Sequence, residues 1–361
     1  MSYPRHATLT DVAAAAGVSV STASRALRGR GEMAPATRAR VLAAAQRLGH
    51  SRANERRGRP RTGTSLLFDL VLGHFHDPYS DEVTAGAHTA AAELNYDLVL
   101  TAERAVPDDD WPMRIRSRGS AGVVLGLILP TATQLAVLQD AGIPVVLLDP
   151  WGDPSLALPS VRTTDRAGGI EAAEHLVAQG ARRFVVIGGA PSYRYGRARV
   201  DGFESTIRAL LPGAPLIRTR ADWTSSDARR AGAAALAALP PRPSDAPIGL
   251  FACSDEMAAG AYQAAADSRL SIPRDVMVVG FDDVRGARWL QPSLTTVRQP
   301  IREMAAAAIH ALAGAARGEP LEATVTELPT RLIPRGSTRA PGDSIPPSAV
   351  VRREGAESGD S

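Results

Sequence analysis

Between residues 64 and 337 short apolar runs alternate with alanine-rich stretches of helical spacing, and this alternation limits the possible folds more than any other feature of the chain. Strands are expected at Leu66–Leu72, Leu98–Thr101, Gly122–Leu129, Val145–Leu148, Phe184–Ile187, Ile248–Cys253 and Met277–Gly280. Helices are expected near 82–93, 132–141, 166–179, 197–210, 227–239 and 256–266. Several strands are apolar at every position, which is how a strand reads when helices cover both faces of its sheet. Strands separated by helices pair in parallel. The units are too many for one small sheet, so the expected body, residues 64–337, is an α/β core of two doubly wound parallel-sheet lobes.

The flanking segments are of another kind. Residues 1–50 read as an all-α domain of short helices, and residues 51–63, SRANERRGRPRTG, as a polar basic linker. Residues 338–361, rich in Pro, Gly, Ser and charge, are expected to form a disordered tail. Charge is divided unevenly. Residues 1–63 hold twelve arginines against Asp11, Glu32 and Glu55, a net +9, while the whole chain carries only +3 and the rest therefore −6. A basic head on a mildly acidic body suits a phosphate-binding module attached to something else. On charge alone, RNA or an anionic membrane surface fits as well as DNA. All 41 basic residues are arginine, which a GC-rich coding bias explains without any appeal to function.

Composition closes off several classes. A hydrophobic fraction of 44% describes a globular chain with a sizeable core. No apolar run approaches the roughly 18–20 residues needed to cross a bilayer, and Met1–Thr10 has no apolar leader core. The expected location is the cytoplasm, with no membrane partner. The single cysteine, Cys253, excludes an internal disulfide and reads as a small core residue on a strand. There is no GxxxxGKS/T, strand-linked GxGxxG, HExxH or GxSxG, so neither an enzyme nor a cofactor or metal site is expected.

The strongest local signal lies in Leu9–Leu27. Thr10 is placed to cap a first helix, with Asp11 at its positive end. Gly17 stands at a sharp turn that needs positive φ. Ser19 then caps a second helix, and Val12, Ala13 and Ala16 face Ala23, Ala26 and Leu27 across a close crossing. A third helix starts at Pro35, buries Val41, Leu42, Ala45 and Leu48, and ends at Gly49. This is a helix-turn-helix, whose second helix enters the major groove by its N-terminal end. Val20, Ser21 and Arg25 then face base edges, Arg25 suited to guanine. Ser19, Thr22 and Ser24 face phosphates; Thr8 and Arg28 complete the DNA-facing set.

The run TLTDVAAAAGVSVSTASRAL, followed by PATRARVLAAAQRLGH, resembles the LacI/GalR family of repressors. The resemblance continues through Asp77-Pro78-Tyr79, Thr164-Asp165-Arg166-Ala167-Gly168, Arg199-Val200-Asp201-Gly202-Phe203 and Ser254–Gly260, then Val278–Asp283 and Pro292–Val297. It covers roughly residues 8–335. It implies a helix-turn-helix head on a type I periplasmic-binding-protein-like sensor, assembled as a homodimer on a double-stranded DNA operator. It also implies effector contacts at Asp77, Tyr79, Asp165, Arg199, Trp223, Asp255 and Asp282.

Independently of the family, open α/β sheets bind ligands at the carboxyl ends of their strands. Asp77, Asp255 and Asp282 fall just there. Carboxylates accept from sugar hydroxyls, arginine offers a planar donor fork, and the flat face of Trp223 suits a pyranose ring. Tyr193 and Tyr195 lie in a loop near the same place. Other readings stay open: Asp165 as a helix cap, Asp282 and Asp283 as caps, Arg199 as the partner of a neighbouring carboxylate, and Trp223 as packing.

The linker departs from the family, whose members carry a short helix and a leucine wedge there. No leucine lies between Leu48 and Leu66, and Gly58 and Pro60 oppose a helix. Arg57-Gly58-Arg59-Pro60-Arg61 resembles an AT-hook, whose arginines enter the narrow minor groove of A·T-rich DNA. A flexible basic tether is the alternative. The function expected from all this is a repressor of carbohydrate uptake or breakdown genes, controlled by a sugar or oligosaccharide held between two lobes. An exported solute-binding protein shares the two-lobed body but not the basic head.

Overall fold

The computed structural model describes residues 9–28, 34–48, 65–73, 75–103, 110–152, 158–240 and 246–338. They fall into two compact units, within Met1–Ser65 and within Leu66–Ser361. Thr8, the linker with Arg57, Arg59 and Arg61, and the tail beyond residue 338 lie outside the described residues.

The first unit is three helices: α1 (Leu9–Ala16), α2 (Val20–Arg28) and α3 (Pro35–Arg47). Gly17 turns the chain at φ 66°. Val12, Ala13, Ala16, Ala23, Ala26, Val41, Ala44 and Ala45 are buried together. Small side chains let the helices cross closely, so a short segment still closes a core. Two expectations need correction. The first helix already includes Leu9, so Thr10 lies inside it and is not its cap. Leu42 and Leu48 are exposed, 49% and 40%. On a helix the buried stripe follows the three-to-four spacing of Val41, Ala44 and Ala45, and Leu42 lies a quarter-turn off it.

The second unit has two lobes. The first begins with β1 (Leu67–Leu72), α4 (Pro78–Glu93), β2 (Asp97–Ala102), α5 (Trp111–Arg118), β3 (Gly122–Gly126), α6 (Ala132–Asp140), β4 (Val145–Leu148) and β5 (Ser160–Thr163). The second follows with α7 (Asp165–Ala178), β6 (Arg183–Gly188), α8 (Arg194–Leu210), β7 (Leu216–Arg220), α9 (Ser225–Ala238), β8 (Ile248–Ala252), α10 (Asp255–Asp267), β9 (Val276–Asp282) and β10 (Thr295–Arg298). The chain then returns with α11 (Ile301–Ala316) and β11 (Val325–Leu328), and ends in β12 (Arg331–Ile333). The sheets run β2-β1-β3-β4-β5-β11 and β7-β6-β8-β9-β10-β12. All strand pairs are parallel except the last, β10 with β12. Both lobes are doubly wound as expected, and their order reverses beside β1 and beside β6, where such sheets open a crevice.

The expected strand to Leu129 stops at Gly126, because Leu127 turns to φ 58° and leaves the sheet. The short or partly polar strands β5, β7, β10, β11 and β12, and the helices α5 and α11, are additions to the sequence reading. The helix α11 matters most. Ile301, Met304, Ala305, Ala308, Ile309 and Leu312 form one buried face, packed with Phe68, Leu70, Leu72, Val83 and Ala87 in the first lobe. A Cβ at Gly86 of α4 would lie 2.5 Å from the carbonyl oxygen of Arg302, so glycine is what lets the two helices touch.

Three crossings therefore join the lobes, at Thr163–Asp165, Arg298–Ile301 and Leu328–Arg331. They are tied to each other. The Thr164 and Thr330 hydroxyls lie 3.0 Å apart, and the Thr163 hydroxyl donates to the Gln299 amide oxygen at 2.9 Å. One buried charge stands inside the first sheet. Asp69 on β1 accepts from the Thr101 hydroxyl at 2.7 Å, and from Ser120 and Arg118.

Candidate functional site

At the head, Ser19 caps α2: its hydroxyl accepts from the Thr22 backbone N–H at 3.1 Å. The same hydroxyl lies 2.9 Å from that of Ser21 and 2.8 Å from that of Thr22. Val20 is 44% exposed and Ser21 is exposed, while Thr22 and Ser24 are half-buried. The N-terminal end of α2 thus turns hydroxyls and one apolar side chain outward, backed by the buried Ala23 and Ala26. Arg25 and Arg28 belong to α2 by backbone, but their side chains lie outside the described residues.

In the body, a cavity of about 880 Å³ lies between the lobes. It opens at the carboxyl ends of β1, β4, β6, β8 and β9, where the sheet order predicts it. Asp77, Tyr79, Tyr195, Arg199, Trp223 and Asp282 all line it, as do Tyr193 and Ser254. Four of its lining residues, Leu127, Asp149, Trp223 and Asp282, hold positive φ, at 58°, 45°, 56° and 113°. Such conformations cost about 1–3 kcal/mol each and collect where a site needs them.

Arg199 is the centre. The backbones of α7 and α8 come into contact at Gly169 and Gly202, where any side chain would strike Arg199 or Arg166. That contact sets Arg199 beside the start of α7. Its Nε donates to Asp165 Oδ1 at 2.9 Å, and its Nη1 to the Cys253 carbonyl at 2.8 Å and Asp282 Oδ1 at 3.5 Å. The guanidinium carbon lies 3.8 Å from the centre of the Phe281 ring and 5.4 Å from that of Tyr195. Burial opposes its charge, but Asp165, Asp282 and Asp149 outweigh burial and raise its pKa. The cation is therefore fixed and ionised before any ligand arrives. Cys253 is a buried core residue just after β8, its thiol pushed up to about 12 by burial.

Two expected contacts do not reach the cavity wall. Asp255 accepts from the Thr296 hydroxyl at 2.5 Å and from the Val284 backbone N–H at 2.9 Å, which ties α10 to the strands behind it. Ser254 caps α10 through the Met257 N–H, and Glu256 lines the cleft where Asp255 was expected. Asp165 is neither a cap nor a wall; it holds Arg199 and, at 3.2 Å, Arg194. Asp77 lines the cavity and also caps α4, accepting from the Ser80 N–H at 3.0 Å.

The structure adds residues that the sequence reading passed over. Asp149, just past β4, accepts from Arg194 Nη2 at 3.0 Å and from the Tyr79 hydroxyl at 3.4 Å. The Arg194 backbone N–H donates to the Trp151 carbonyl at 2.7 Å. Arg194, from the second lobe, thus binds the first lobe twice. The Asp149 carboxyl is pushed up to about 7 by burial and by Asp165, against the pull of Arg199 and Arg194. That of Asp282 is also pushed up to about 7 by burial, against Arg199 and the Gln299 amide. Burial, then Asp149, raises the pKa of Tyr79. Asp149 was legible by the strand-end rule that found Asp77; Trp151 and Arg194 carried no such signal. Among the described residues no group of three His, Cys, Asp or Glu side chains could hold a metal, and no helix is long and apolar enough to cross a membrane.

These features meet known proteins at both ends of the chain. The family model for bacterial regulatory proteins of the lacI family matches residues 8–52, and that for a periplasmic binding protein-like domain matches residues 173–338. The HTH-type transcriptional regulator MalR of Streptomyces coelicolor is 32% identical over 344 residues, 93% of this chain and 98% of MalR. The chain belongs to the LacI family of bacterial regulatory proteins. It is a DNA-binding transcription regulator and not an enzyme. The transcriptional repressor CytR of Escherichia coli is 29% identical over 343 residues, 92% of this chain and 97% of CytR. A solved complex of the transcriptional regulator CelR with cellobiose superposes with a TM-score of 0.66 at 27% identity, over 92% of this chain and 99% of that one. A lac repressor dimer bound to operator, at 24% identity and a TM-score of 0.66, shares the fold.

Proposed function

We propose that this LacI-family regulator is a homodimeric repressor of genes for carbohydrate uptake or breakdown, and that a sugar-type effector bound between its lobes controls it. The observation that carries the reading is the cleft itself, where a pre-ionised Arg199 stands among carboxylates, tyrosine hydroxyls and indole faces. Each group matches one part of a sugar: hydroxyls that donate, hydroxyls that accept, and an apolar ring face. The solved CelR complex holds cellobiose in a body of this fold, which supports the reading. The domains are proposed as 1–50 for DNA, 51–63 for the linker, 64–337 for the sensor and 338–361 for the tail. A protein that reads the chromosome works in the cytoplasm.

The head reads a major groove with Val20, Ser21 and Arg25, and sets its register on phosphates with Thr8, Ser19, Thr22, Ser24 and Arg28. Two heads then read half-sites about one helical turn apart. The effector changes operator affinity by as much as its affinity differs between open and closed bodies. Selection of sites from random DNA, followed by footprinting with and without sugars, tests this. A two-fold symmetric site whose occupancy changes with a sugar is the expected result; an asymmetric site, or one indifferent to every sugar, overturns it. For the linker, Arg57, Arg59 and Arg61 are proposed as a minor-groove arm. Arg57→Ala with Arg59→Ala should then abolish an A·T preference at the centre of the site, whereas a tether would only lower affinity evenly.

A further inference from the structure

We infer that the cleft is built for an uncharged oligosaccharide of at least two rings, with one ring at Arg199 and the next on a row of aromatic side chains leading to the mouth. This rests on the sugar reading proposed above and narrows its ligand.

Size comes first. Pockets that bury most of a ligand's surface span about 300–1,000 Å³, and this one, at about 880 Å³, stands near the top of that range. A hexose has only about a dozen non-hydrogen atoms, so one ring would leave most of the cavity to water, and two linked rings fit within it.

Shape comes next. Aromatic residues are only 4% of the chain, yet four of them meet here. The Tyr195 ring lies against Arg199 and is 8% exposed. Trp223 follows at 5.2 Å from Tyr195, and Tyr193 at 5.8 Å from Trp223. Trp151, from the first lobe, ends the row at 6.3 Å from Tyr193 and is 37% exposed. The row thus runs from the buried cation outward. Tyr193 also lies 5.5 Å from Tyr195 at 33°, so these three rings form a cluster beside the cation, and Trp151, at 64° to Tyr193, adds a separate face on its outer side. Successive faces suit the apolar sides of linked pyranose rings.

Charge supplies the third constraint. Among the described residues, Asp77, Glu103, Asp149, Asp222, Glu256 and Asp282 line the cavity against one guanidinium, Arg199, which is already engaged by Asp165 and Asp282. Even with Asp149 and Asp282 held partly protonated near neutral pH, the remaining carboxylates repel an anion. Neutral hydroxyls meet no such barrier and donate to the same oxygens. Sugar phosphates and nucleotides are excluded.

The test is calorimetric titration of the full-length protein with glucose, galactose, xylose, maltose, cellobiose, lactose, xylobiose, glucose 6-phosphate, adenosine and cytidine. At least one disaccharide should bind about 30-fold or more tightly than its component monosaccharides, as a second anchored ring implies. Glucose 6-phosphate and the nucleosides should not bind. Trp151→Ala removes a half-exposed ring at the mouth, and its melting temperature verifies the fold. It should weaken the disaccharide by about 30-fold while changing monosaccharide affinity by less than about twofold. A monosaccharide bound as tightly as its disaccharides, an equal loss for both in the variant, or preference for the phosphate or a nucleoside overturns the inference. Binding of no sugar at all would remove the sugar reading and this inference together; a monosaccharide bound as tightly as its disaccharides removes this inference alone.

Discussion

The two lobes share a strand order but prepare their sides of the cleft differently. The second lobe completes its own. Arg199 is locked by the Cys253 carbonyl, by Asp282 and by the face of Phe281, all from one lobe, and by Asp165 at the crossing. The first lobe does not. Its Asp149 takes its cationic hydrogen bond from Arg194, which comes from the opposite lobe, and its Tyr79 points at that same Asp149. One wall is therefore held from within its own lobe, and the other is held across the cleft. Under the proposed function, a ligand that draws the lobes together would find the cation ready and bring the carboxylates to it, so that binding energy becomes a difference between two states.

Breaking the wall held from within should have the largest effect. Arg199→Ala leaves Asp165 and Asp282 buried without their shared cation, a loss of about 3–5 kcal/mol in stability by analogy with other broken buried pairs. Effector binding by calorimetry should vanish with it; retained binding would mean that the second lobe does not organise the site. Next comes the first lobe's dependence on α11. Gly86→Val drives a side chain into the Arg302 backbone and should cost about 1–3 kcal/mol, with hydrogen exchange rising in β1, β3 and α11 before it rises in β6 or β8. Uniform exchange across both lobes would show that they unfold as one.

Arg194→Met tests closure more gently. It removes the side-chain bridges to Asp149 and Asp165 but leaves Arg199 in place, so stability should fall by about 1–3 kcal/mol. Small-angle scattering of the effector-free protein should then show a more open body, and unchanged scattering would contradict the bridging role.

The remaining expected effect is on pH dependence. Burial, then Asp165, pushes the Asp149 carboxyl up to about 7 in the fold, from 3.8 for the ordinary carboxyl. The folded state therefore binds more protons than the unfolded chain between those values, and the stability this group contributes is lost as pH rises through 7. Asp149→Asn should flatten the decline in melting temperature between pH 5 and 8. A slope equal to that of the unaltered protein would place the titration elsewhere.

Much of this was legible in the chain. The Ser19 cap, the Gly17 turn and the small residues of α1 and α2 are local, and short-range chemistry is what a sequence records best. Arg199 and Trp223 came with the resemblance to the LacI family, whereas Asp77 and Asp282 were legible because strand ends point at clefts in this class of fold. Asp255 misled for the same reason. It has the right position, but Thr296 and Val284 take its oxygens, and nothing local to it says so. Trp151 and Tyr193 lie more than forty residues apart and meet only because the lobes close.

The helix α11 draws the boundary most clearly. The spacing of Ile301, Met304, Ala305, Ala308, Ile309 and Leu312 determines that a helix forms and which of its faces is buried. It does not say against what, because hydrophobic burial has no direction and accepts any apolar partner of suitable shape. The second lobe, next to it in sequence, was available. Only the tertiary structure sends this helix back to Gly86 and the first sheet, where it makes one of the three crossings that allow two lobes to close on one ligand.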